Sequence, residues 1–393
     1  MILVLNCGSS SLEFSLCDEE GTARTSGRIE DIGGTEPLLA LEHDAEEDQR
    51  SVMATDCAEA MLRMYEILEE IYQGDLIVEA IGHRIVHGGE RFVEAALITP
   101  EVEKGIEACV HLAPLHNPAH LIGIRAARAH FPDLPQVAVF DTAFHQTLPA
   151  RAYCYALPYE LYEQEGIRRY GFHGIAHRYT AQRAAALLER ETFTGISCHL
   201  GNGTSLAAVR DGRSVDTTMG LTPLAGVSMG TRSGDVDPAV VFHLARRRGL
   251  ALEEIEHLLN EESGLLGLSG LSGDMRQVEE AALQGDKRAQ LALEVFTYGI
   301  RKAIGAYLAV LGRIDAVVFS GGIGENSPAT RRRILRDMEG LGLEVDPVRN
   351  RSHAGVEGEI STFGSSVKIL IVPTHEESVI AHETQAVVSR ERN

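Results

Sequence analysis

Four short motifs in this sequence place charged or histidine side chains beside glycines at the ends of apolar segments. Apolar runs that end in polar residues next to glycine turns are typical of sites in α/β proteins, where strand ends supply the functional side chains. The motifs are GHRIVHGG (82–89) with Arg84 and His87, FDTAFHQTLP (140–149) with Asp141 and His145, YGFHGIAHR (170–178) with His173 and Arg178, and MGTRSGDVDPA (229–239) with Arg232.

Arg84 and Arg232 are the strongest candidates for binding an anion. Burying a guanidinium group without a partner is costly, so an arginine held among glycines at a strand end implies a counter-ion or an anionic ligand. A histidine in such a place is more often structural than catalytic, and that alternative stays open for His173. Lysine is scarce, so an anion site must use arginine and histidine; the lysines are Lys104, Lys287, Lys302 and Lys368.

Two stretches half a chain apart share a pattern of strand, glycine-containing turn and strand. They are MILVLNCGSSSLEFSLCDEEG (1–21) and TGISCHLGNGTSLAAVRDGRS (194–214). The alternation of apolar residues predicts a β-hairpin in each, and such a turn offers backbone N–H groups and hydroxyls to an anion. The repeat predicts a duplicated domain, although two such hairpins also arise by chance.

The segment IDAVVFS (314–320) is predicted to be a strand, and GGIGENSPATRRR after it a glycine loop followed by a helix from about Pro328. This arrangement is the best nucleotide site that the residues alone indicate, and a plain strand-to-helix turn is the alternative. No glycine–lysine pair exists, which excludes a P-loop, and neither a dinucleotide fingerprint nor the protein-kinase motifs are present. The acidic segment 41–50 is predicted to be a solvated loop, and residues 287–311 a long amphipathic helix.

Composition limits the class of protein. A chain of 393 residues, 44% hydrophobic and 24% charged, predicts a soluble globular protein of two domains. No run of 18 apolar residues and no basic N-terminal region occur, so we expect neither a membrane span nor a signal peptide. Six scattered cysteines without a C-x-x-C pair favour a reduced, cytoplasmic protein. The net charge of −21 argues against nucleic acid or an anionic membrane as a partner.

Taken together, the motifs resemble those of the acetokinase family, which includes acetate and propionate kinases and lies within the sugar kinase, Hsp70 and actin superfamily. The resemblance extends from residue 2 to about 384. It is carried by GHRIVHGG, FDTAFHQTLP, YGFHG, HLGNG, MGLTPLAGVSMGTRSGD, GGIGEN and PTHEE, in this order.

The resemblance implies an α/β fold of two duplicated ribonuclease H-like (actin-like ATPase) domains with an active-site cleft between them. The first domain would comprise residues 1–145 and 378–393, and the second, residues 146–377, would bind nucleotide and form a homodimer. The implied reaction is reversible, direct in-line transfer of a phosphoryl group from ATP to acetate, giving acetyl phosphate and ADP. The implied metal is Mg²⁺, with Mn²⁺ as an alternative.

The resemblance also implies roles for individual residues. Catalysis would use Arg84, Asp141, His173 and Arg232, and the metal would lie near Asn6 and Glu376. The acid would contact Arg84, Val86, Leu115, Phe172 and Pro223. The nucleotide would contact His199, Leu200, Gly201, Asn202, Gly203, Asp274, Met275, Arg276, Gly322, Ile323, Gly324, Glu325 and Asn326.

The sequence departs from the family pattern at two places. Glu13 stands where the family usually has lysine, and alternation with Leu12 and Phe14 puts it on the polar face of the hairpin, toward either the cleft or solvent. Ile175 and Ala176 replace two hydroxyl residues after His173, which predicts an altered rate or acyl preference rather than another reaction. The alternatives are the same chemistry on propionate or another short acid, and a nucleotide-binding sensor of the same superfamily without transferase activity.

Overall fold

The computed structural model describes residues 1–44, 46–114 and 116–392. The chain forms two compact units, one of Met1–Gln146 with His375–Asn393, the other of Thr147–Thr374. We call them unit 1 and unit 2. The sequence analysis expected the chain to return to the first domain after residue 377, whereas it returns to unit 1 between Thr374 and His375. Glu376 therefore belongs to unit 1. The reason is that the last helix already begins at Glu376 and packs as a whole on the sheet of unit 1.

The described residues contain both strands and helices in each unit. The strands are β1 (Ile2–Cys7), β2 (Leu12–Cys17), β3 (Ala23–Glu30), β4 (Leu38–His43), β5 (Glu46–Ser51), β6 (Ala80–Ile85), β7 (Ala96–Leu97), β8 (Gln136–Phe140), β9 (Gly195–Leu200), β10 (Thr204–Arg210), β11 (Arg213–Thr217), β12 (Ala316–Ser320), β13 (Gly358–Glu359) and β14 (Lys368–Ile371). The helices are α1 (Cys57–Ile71), α2 (Pro100–Ala108), α3 (Asn117–His130), α4 (Ala150–Tyr153), α5 (Tyr159–Glu165), α6 (Gly174–Leu187), α7 (Ala239–Arg248), α8 (Leu252–Glu261), α9 (Gly264–Ser269), α10 (Met275–Leu283), α11 (Lys287–Leu311), α12 (Gly321–Asn326), α13 (Pro328–Leu335), α14 (Pro347–Ser352) and α15 (Glu376–Glu391).

Unit 1 is built on a sheet with the strand order β5-β4-β3-β2-β1-β6-β8-β7. Its centre, β1-β6-β8, is parallel, while β1 and β2 form the predicted antiparallel hairpin. Ile81 packs with α1 in one core, whereas a Cβ on the next residue, Gly82, would meet Thr384 of α15. Because neighbouring residues of a strand point to opposite faces, α1 and α15 cover the two faces of this sheet.

Unit 2 repeats this topology. Its sheet order β11-β10-β9-β12-β14-β13 corresponds strand for strand to β3-β2-β1-β6-β8-β7. Alternate residues of β9 and β12 pack against α11 in the main core, and Ser197 of β9 points to α6 on the other face. The predicted helix 287–311 is confirmed, with Asp286 accepting a hydrogen bond from the N–H of Ala289 at its start. The two predicted hairpins thus belong to duplicated sheets.

Two expectations about local structure are wrong. In the acidic segment, residues 41–43 and 46–50 are strand rather than loop, because Leu39 and Leu41 are buried and hold β4 in the sheet, where β5 pairs with it as an exposed edge strand. The glycines after β12 form the short helix α12 rather than a loop.

None of the helices in the described part of the chain combines the length and apolar character that a membrane span requires.

Candidate functional site

The parallel strands of unit 1 bring three predicted side chains to one edge of the sheet. Asn6 lies near the end of β1, Arg84 near the end of β6, and Asp141 directly after β8. Since β1, β6 and β8 are parallel neighbours, their carboxyl ends meet at the same edge. Glu376 joins them from the first residue of α15.

Arg84 is the centre of this group. Its Nη2 donates to Oδ2 of Asp141 at 2.5 Å, its Nη1 lies 3.4 Å from Oδ1 of Asn6, and its Nε lies 3.7 Å from Oε2 of Glu376. The side chain of Asp141 is 1% exposed, so the ion pair is largely desolvated. Burial alone would lower the pKa of Arg84, but the carboxylates of Asp141, Glu376 and Glu13 raise it overall. The arginine is therefore charged at any physiological pH.

Glu13 belongs to the same group. It lies directly opposite Asn6 across the hairpin, and its Oε2 accepts a hydrogen bond from Nδ2 of Asn6 at 2.7 Å, while Oε1 lies 3.4 Å from Nε of Arg28. Leu12 and Phe14 are buried, which confirms the predicted alternation. Because a carboxylate only accepts hydrogen bonds, Glu13 fixes which end of the Asn6 amide faces Arg84, namely Oδ1.

The oxygen atoms here are suited to a hard cation. No group of three His, Cys, Asp or Glu residues in the described ranges is arranged to hold a metal by itself. Mg²⁺, however, commonly uses one or two protein oxygens and completes its shell with water and phosphate. Burial raises the pKa of Glu376, Arg84 opposes this, and the negative charges of Glu377 and Glu13 add to it. A cation beside Glu376 would relieve this crowding of negative charge, so Asn6 and Glu376 fit such an ion.

In unit 2, His173 occupies the residue before α6 with φ of 55°. This left-handed conformation is uncommon for a residue other than glycine, and it occurs in tight turns and at functional sites. Its Nδ1 is 2.9 Å from Oγ of Ser205, and its ring centroid is 4.7 Å from that of His199.

Gly203 lies close to both His173 and Arg232. A Cβ on Gly203 would lie 3.2 Å from Nε2 of His173 and 3.6 Å from Nη1 of Arg232. One cation and one imidazole nitrogen therefore lie beside Gly203, where a side chain would crowd the imidazole.

Arg232 forms no ion pair within the described ranges. Its Nη1 contacts the carbonyl oxygen of Pro223 at 3.4 Å and Sδ of Met229 at 3.9 Å. Desolvation lowers the pKa of Arg232, opposed only by the more distant charge of Glu261. A half-buried guanidinium without a carboxylate partner is an arrangement suited to an anionic ligand.

The predicted nucleotide residues collect around the ends of β9 and β12, which are parallel neighbours. The N–H of Gly230 donates to the carbonyl oxygen of Asn202, and a Cβ on Gly230 would also lie 3.1 Å from the carbonyl oxygen of Gly273. Gly321 of α12 packs directly on the backbone of Leu200. The turn after β9, the segment of Arg232, the start of α10 and α12 are thus adjacent.

The side chains of the predicted nucleotide residues differ in their exposure to solvent. Asp274 caps α10 and forms an ion pair with the exposed Arg276, whereas Leu200 and Met275 lie in the core. Glu325 turns inward, where its Oε1 accepts hydrogen bonds from the N–H of Gly321 and from the N–H and hydroxyl of Thr374.

Arg331 is a residue that the sequence did not single out. It is completely buried, and it donates to the carbonyl oxygens of Gly324 and Glu325 and to Asn350. Burial lowers its pKa to about 10. It therefore holds the C-terminal half of α12 in place. A run of three arginines at 331–333 gives no sign that the first one is internal.

The predicted acid-binding residues are divided between the units. Val86 is buried just after β6 in unit 1, whereas Phe172 is buried and Pro223 half-buried in unit 2; Leu115 lies outside the described residues. Ile175 and Ala176, the two departures after His173, are buried in the first turn of α6.

Comparison with known proteins identifies the family. The acetokinase family model matches residues 1–382. An acetate kinase from Deinococcus radiodurans is 52% identical over 390 residues, covering 98% of each chain. The crystal structure of Porphyromonas gingivalis acetate kinase superposes with a TM-score of 0.93 at 42% identity, over 98% of this chain and 99% of that one. A propionate kinase from Francisella tularensis gives a TM-score of 0.93 at 41% identity with the same coverage. These similarities confirm the resemblance and the duplicated actin-like ATPase fold, and the chain belongs to the acetokinase family.

Proposed function

We propose that this protein is an acetate kinase, which reversibly transfers the γ-phosphoryl group of ATP to acetate to give acetyl phosphate and ADP. The observation that carries the proposal is that Nε2 of His173 and the guanidinium of Arg232, which forms no ion pair within the described ranges, lie together beside Gly203. A guanidinium and an imidazole side by side suit a phosphoryl group.

The chemistry needs charge neutralisation more than proton transfer. Acetate is already ionised at neutral pH, so it attacks phosphorus without a general base. The transferring group is metaphosphate-like, and its negative oxygens must be stabilised while donor and acceptor stay in line. In this proposal Arg84 and Arg232 bind the carboxylate and the phosphoryl group, and His173 stabilises the latter during transfer. Asp141 orients Arg84 through the ion pair described above.

Asn6 and Glu376 would hold Mg²⁺, directly or through water. Bound there, the ion would neutralise phosphate charge. Glu13 contributes by orienting the amide of Asn6 through its 2.7 Å hydrogen bond. Mn²⁺ has similar ligand preferences and is the alternative ion.

ATP would bind along the turn after β9, the start of α10 and α12. The residues assigned to it are His199 to Gly203, Asp274 to Arg276 and Gly322 to Asn326. The inward hydrogen bonds of Glu325 favour a role in shaping α12 over direct contact with phosphate, because its carboxylate would repel an anion.

Propionate is the second candidate acid. The similarity to a propionate kinase structure equals that to an acetate kinase structure, with a TM-score of 0.93 in both cases. One extra methylene in an apolar pocket changes specificity by only 10–200-fold, so Val86, Leu115, Phe172 and Pro223 would decide the preference.

The decisive experiment measures ADP release by the purified protein with ATP and acetate, propionate, butyrate or no acid, each with Mg²⁺, Mn²⁺ or EDTA. We expect metal-dependent turnover that is fastest with acetate. Faster turnover with propionate would change the proposed substrate from acetate to propionate and leave the proposed reaction unchanged. Tight ATP binding without acid-dependent ADP release would overturn the proposal in favour of a nucleotide-binding sensor.

We also propose a homodimer formed through unit 2. Helix α7 has no buried residue along its ten residues, and Val240 and Phe242 are 38% and 58% exposed. A short helix is not stable by itself in water, so an apolar face left open on it favours packing against a second copy.

Phe242→Asp should dissociate that dimer, because the substitution would bury a charge in the interface. Sedimentation equilibrium should give twice the chain mass for the unchanged protein and the single mass for the variant. Phe363→Asp is the matched control, since Phe363 is fully exposed elsewhere on unit 2 and should leave the mass unchanged. A monomeric unchanged protein would refute the proposal.

A cytoplasmic location accords with the cysteines, all six of which are free thiols. Disulfides are rare in reducing compartments. Fractionation of cells that express the protein tests this assignment. Recovery of the protein outside the cytoplasmic fraction would contradict it.

A further inference from the structure

Two of the six cysteines lie together in unit 1. Cys7 is the last residue of β1 and is 3% exposed, whereas Cys57 is the first residue of α1 and is half-buried. The two side chains share a hydrogen bond, and both are free thiols. We call Cys7 and Cys57 the thiol pair.

The order of strands and helices brings the thiol pair together. Helix α1 leads into β6, which is parallel to β1, so α1 runs back along the sheet and begins over the carboxyl end of β1. Leu3, Leu5 and Cys7 alternate along β1, and all three pack in the same core as α1. The side chain of Cys7 therefore faces the helix that Cys57 begins.

The helical period of α1 turns Cys57 toward the sheet. The residues three, four and seven positions after Cys57 are buried in this core, namely Ala60, Met61 and Met64. Residues at such spacings share one face of a helix, so Cys57 lies at the first turn of the buried face. Its side chain packs against the same core.

Backbone hydrogen bonds hold the two segments that carry the thiol pair. The N–H of Ile32 donates to the carbonyl oxygen of Ser10 at 3.0 Å, and the N–H of Gly33 donates to the carbonyl oxygen of Ala54 at 2.8 Å. Ser10 lies three residues after the first cysteine of the pair, and Ala54 lies three residues before the second. Two consecutive residues therefore tie the hairpin turn to the segment that leads into α1.

The two sulfur atoms differ in reactivity. The hydrogen bond from the thiol of Cys7 lowers the pKa of Cys57, although burial and the charge of Asp56 oppose this. The same hydrogen bond, together with burial, raises the pKa of Cys7. A thiolate at the start of a helix is also stabilised by the helix dipole, and the thiolate is the nucleophilic form of cysteine. Cys57 is thus the sulfur that reacts first, and it is also the more exposed of the two.

We propose that the thiol pair is a reversible oxidation site for peroxides. Sγ of Cys57 attacks one oxygen of hydrogen peroxide, the O–O bond breaks, and the departing hydroxide takes up a proton as water, which leaves a sulfenic acid. Sγ of Cys7 then attacks the sulfur of Cys57, the S–O bond breaks, and the thiol proton leaves with the hydroxide as a second water. One peroxide is reduced and two thiols are oxidised to one disulfide, which a dithiol reductant reverses.

Peptide mapping tests the proposal directly. The reduced full-length protein is treated with hydrogen peroxide, its remaining thiols are blocked with N-ethylmaleimide, and it is digested without reduction. We expect a cross-linked peptide pair that contains Cys7 and Cys57, the loss of two of the six thiols, and the return of both after dithiothreitol. An unchanged thiol count, a cross-link between two chains, or a sulfinic acid on Cys57 without a cross-link would overturn the proposal.

Single substitutions separate the two roles. Cys57→Ser removes the sulfur that reacts first, so the remaining thiols should persist, and a loss of two thiols in this variant would refute the assignment. Cys7→Ala leaves the sulfenic acid without a second thiol, so dimedone should trap it on Cys57. Cys154→Ser is the matched control, because Cys154 is another half-buried free thiol but belongs to unit 2, and the cross-link should form as in the unchanged protein. If circular dichroism shows that Cys7→Ala does not fold, Cys57→Ser carries the test.

The thiol pair also has a consequence for turnover, because Cys7 directly follows Asn6. A covalent bond draws the two sulfurs closer than a hydrogen bond holds them, so the end of β1 must shift. This consequence rests on the proposed function, whereas the disulfide does not. We expect peroxide to lower kcat of the unchanged protein by up to about 10²-fold, reversibly, and to leave kcat of Cys57→Ser unaffected. No loss, or an equal loss in both proteins, would overturn this consequence, while the peptides alone decide the disulfide.

Discussion

Arg232→Ala should lower kcat by about 10²–10³-fold while leaving the free energy of unfolding unchanged or slightly increased. The loss of rate follows from removing the positive group that we propose stabilises the transferring phosphoryl. The gain in stability follows because the guanidinium is half-buried without an ion-pair partner in the described ranges. The free-energy cost of its desolvation is therefore not offset until an anion binds. Steady-state kinetics and urea unfolding of the same preparation test both parts.

Arg232→Lys and Arg336→Ala complete this comparison. Lysine keeps the charge but not the planar fork, so we expect partial activity. Arg336 is exposed, and its one ion pair among the described residues is with its neighbour Asp337, so Arg336→Ala should change neither quantity. Full turnover by Arg232→Ala, or a marked loss of its stability, would contradict the assignment of an anion site.

Asp141→Ala should affect stability and turnover together. The variant removes the carboxylate bound at 2.5 Å to Arg84 and leaves the arginine in a largely desolvated position. Breaking such a pair typically costs about 3–5 kcal/mol, and Arg84 would also lose the contact that fixes its direction. We expect a lower unfolding midpoint in urea and a fall in kcat of at least about 10²-fold, as for other losses of preorganised charge.

A double-mutant cycle with Arg84→Ala shows whether the two residues act as one unit. The double variant should be less destabilised than the sum of the single variants, because neither buried charge then lacks its partner. Glu357→Ala is the control, since it breaks the surface pair with Arg183 and should cost less than about 1 kcal/mol. Additive effects of Arg84→Ala and Asp141→Ala would show that the ion pair is not what holds Arg84.

The sequence predicted those parts of the site that follow from local pattern. Alternating apolar residues and a glycine turn predicted both hairpins, and polar residues at the ends of apolar segments made Arg84 and Asp141 candidate site residues. Asn6 was implied only by the family resemblance. The parallel pairing of β1, β6 and β8 aligns the carboxyl ends of these strands, whatever sequence lies between them.

Other parts depend on partners that are distant in sequence. Ser205 is an ordinary strand residue until the fold brings it to His173. Arg331 could not be distinguished from its basic neighbours in the sequence, because it donates to the backbone carbonyl oxygens of Gly324 and Glu325, and backbone acceptors have no sequence signature. The acidic segment was wrongly interpreted as a loop because charge alone does not reveal an edge strand.

The crossing of the chain at 374/375 has a consequence for biosynthesis. Helix α15 covers one face of the sheet of unit 1, yet the whole of unit 2 separates it from β8 along the chain. A ribosome therefore completes unit 2 while that face of the earlier unit is still bare, exposing apolar residues of the kind that chaperones recognise. Glu376 arrives with α15, so the carboxylates around Arg84 are assembled only at the end of translation of these residues. If these residues form part of the proposed site, activity of the nascent chain should appear only once the helix has docked.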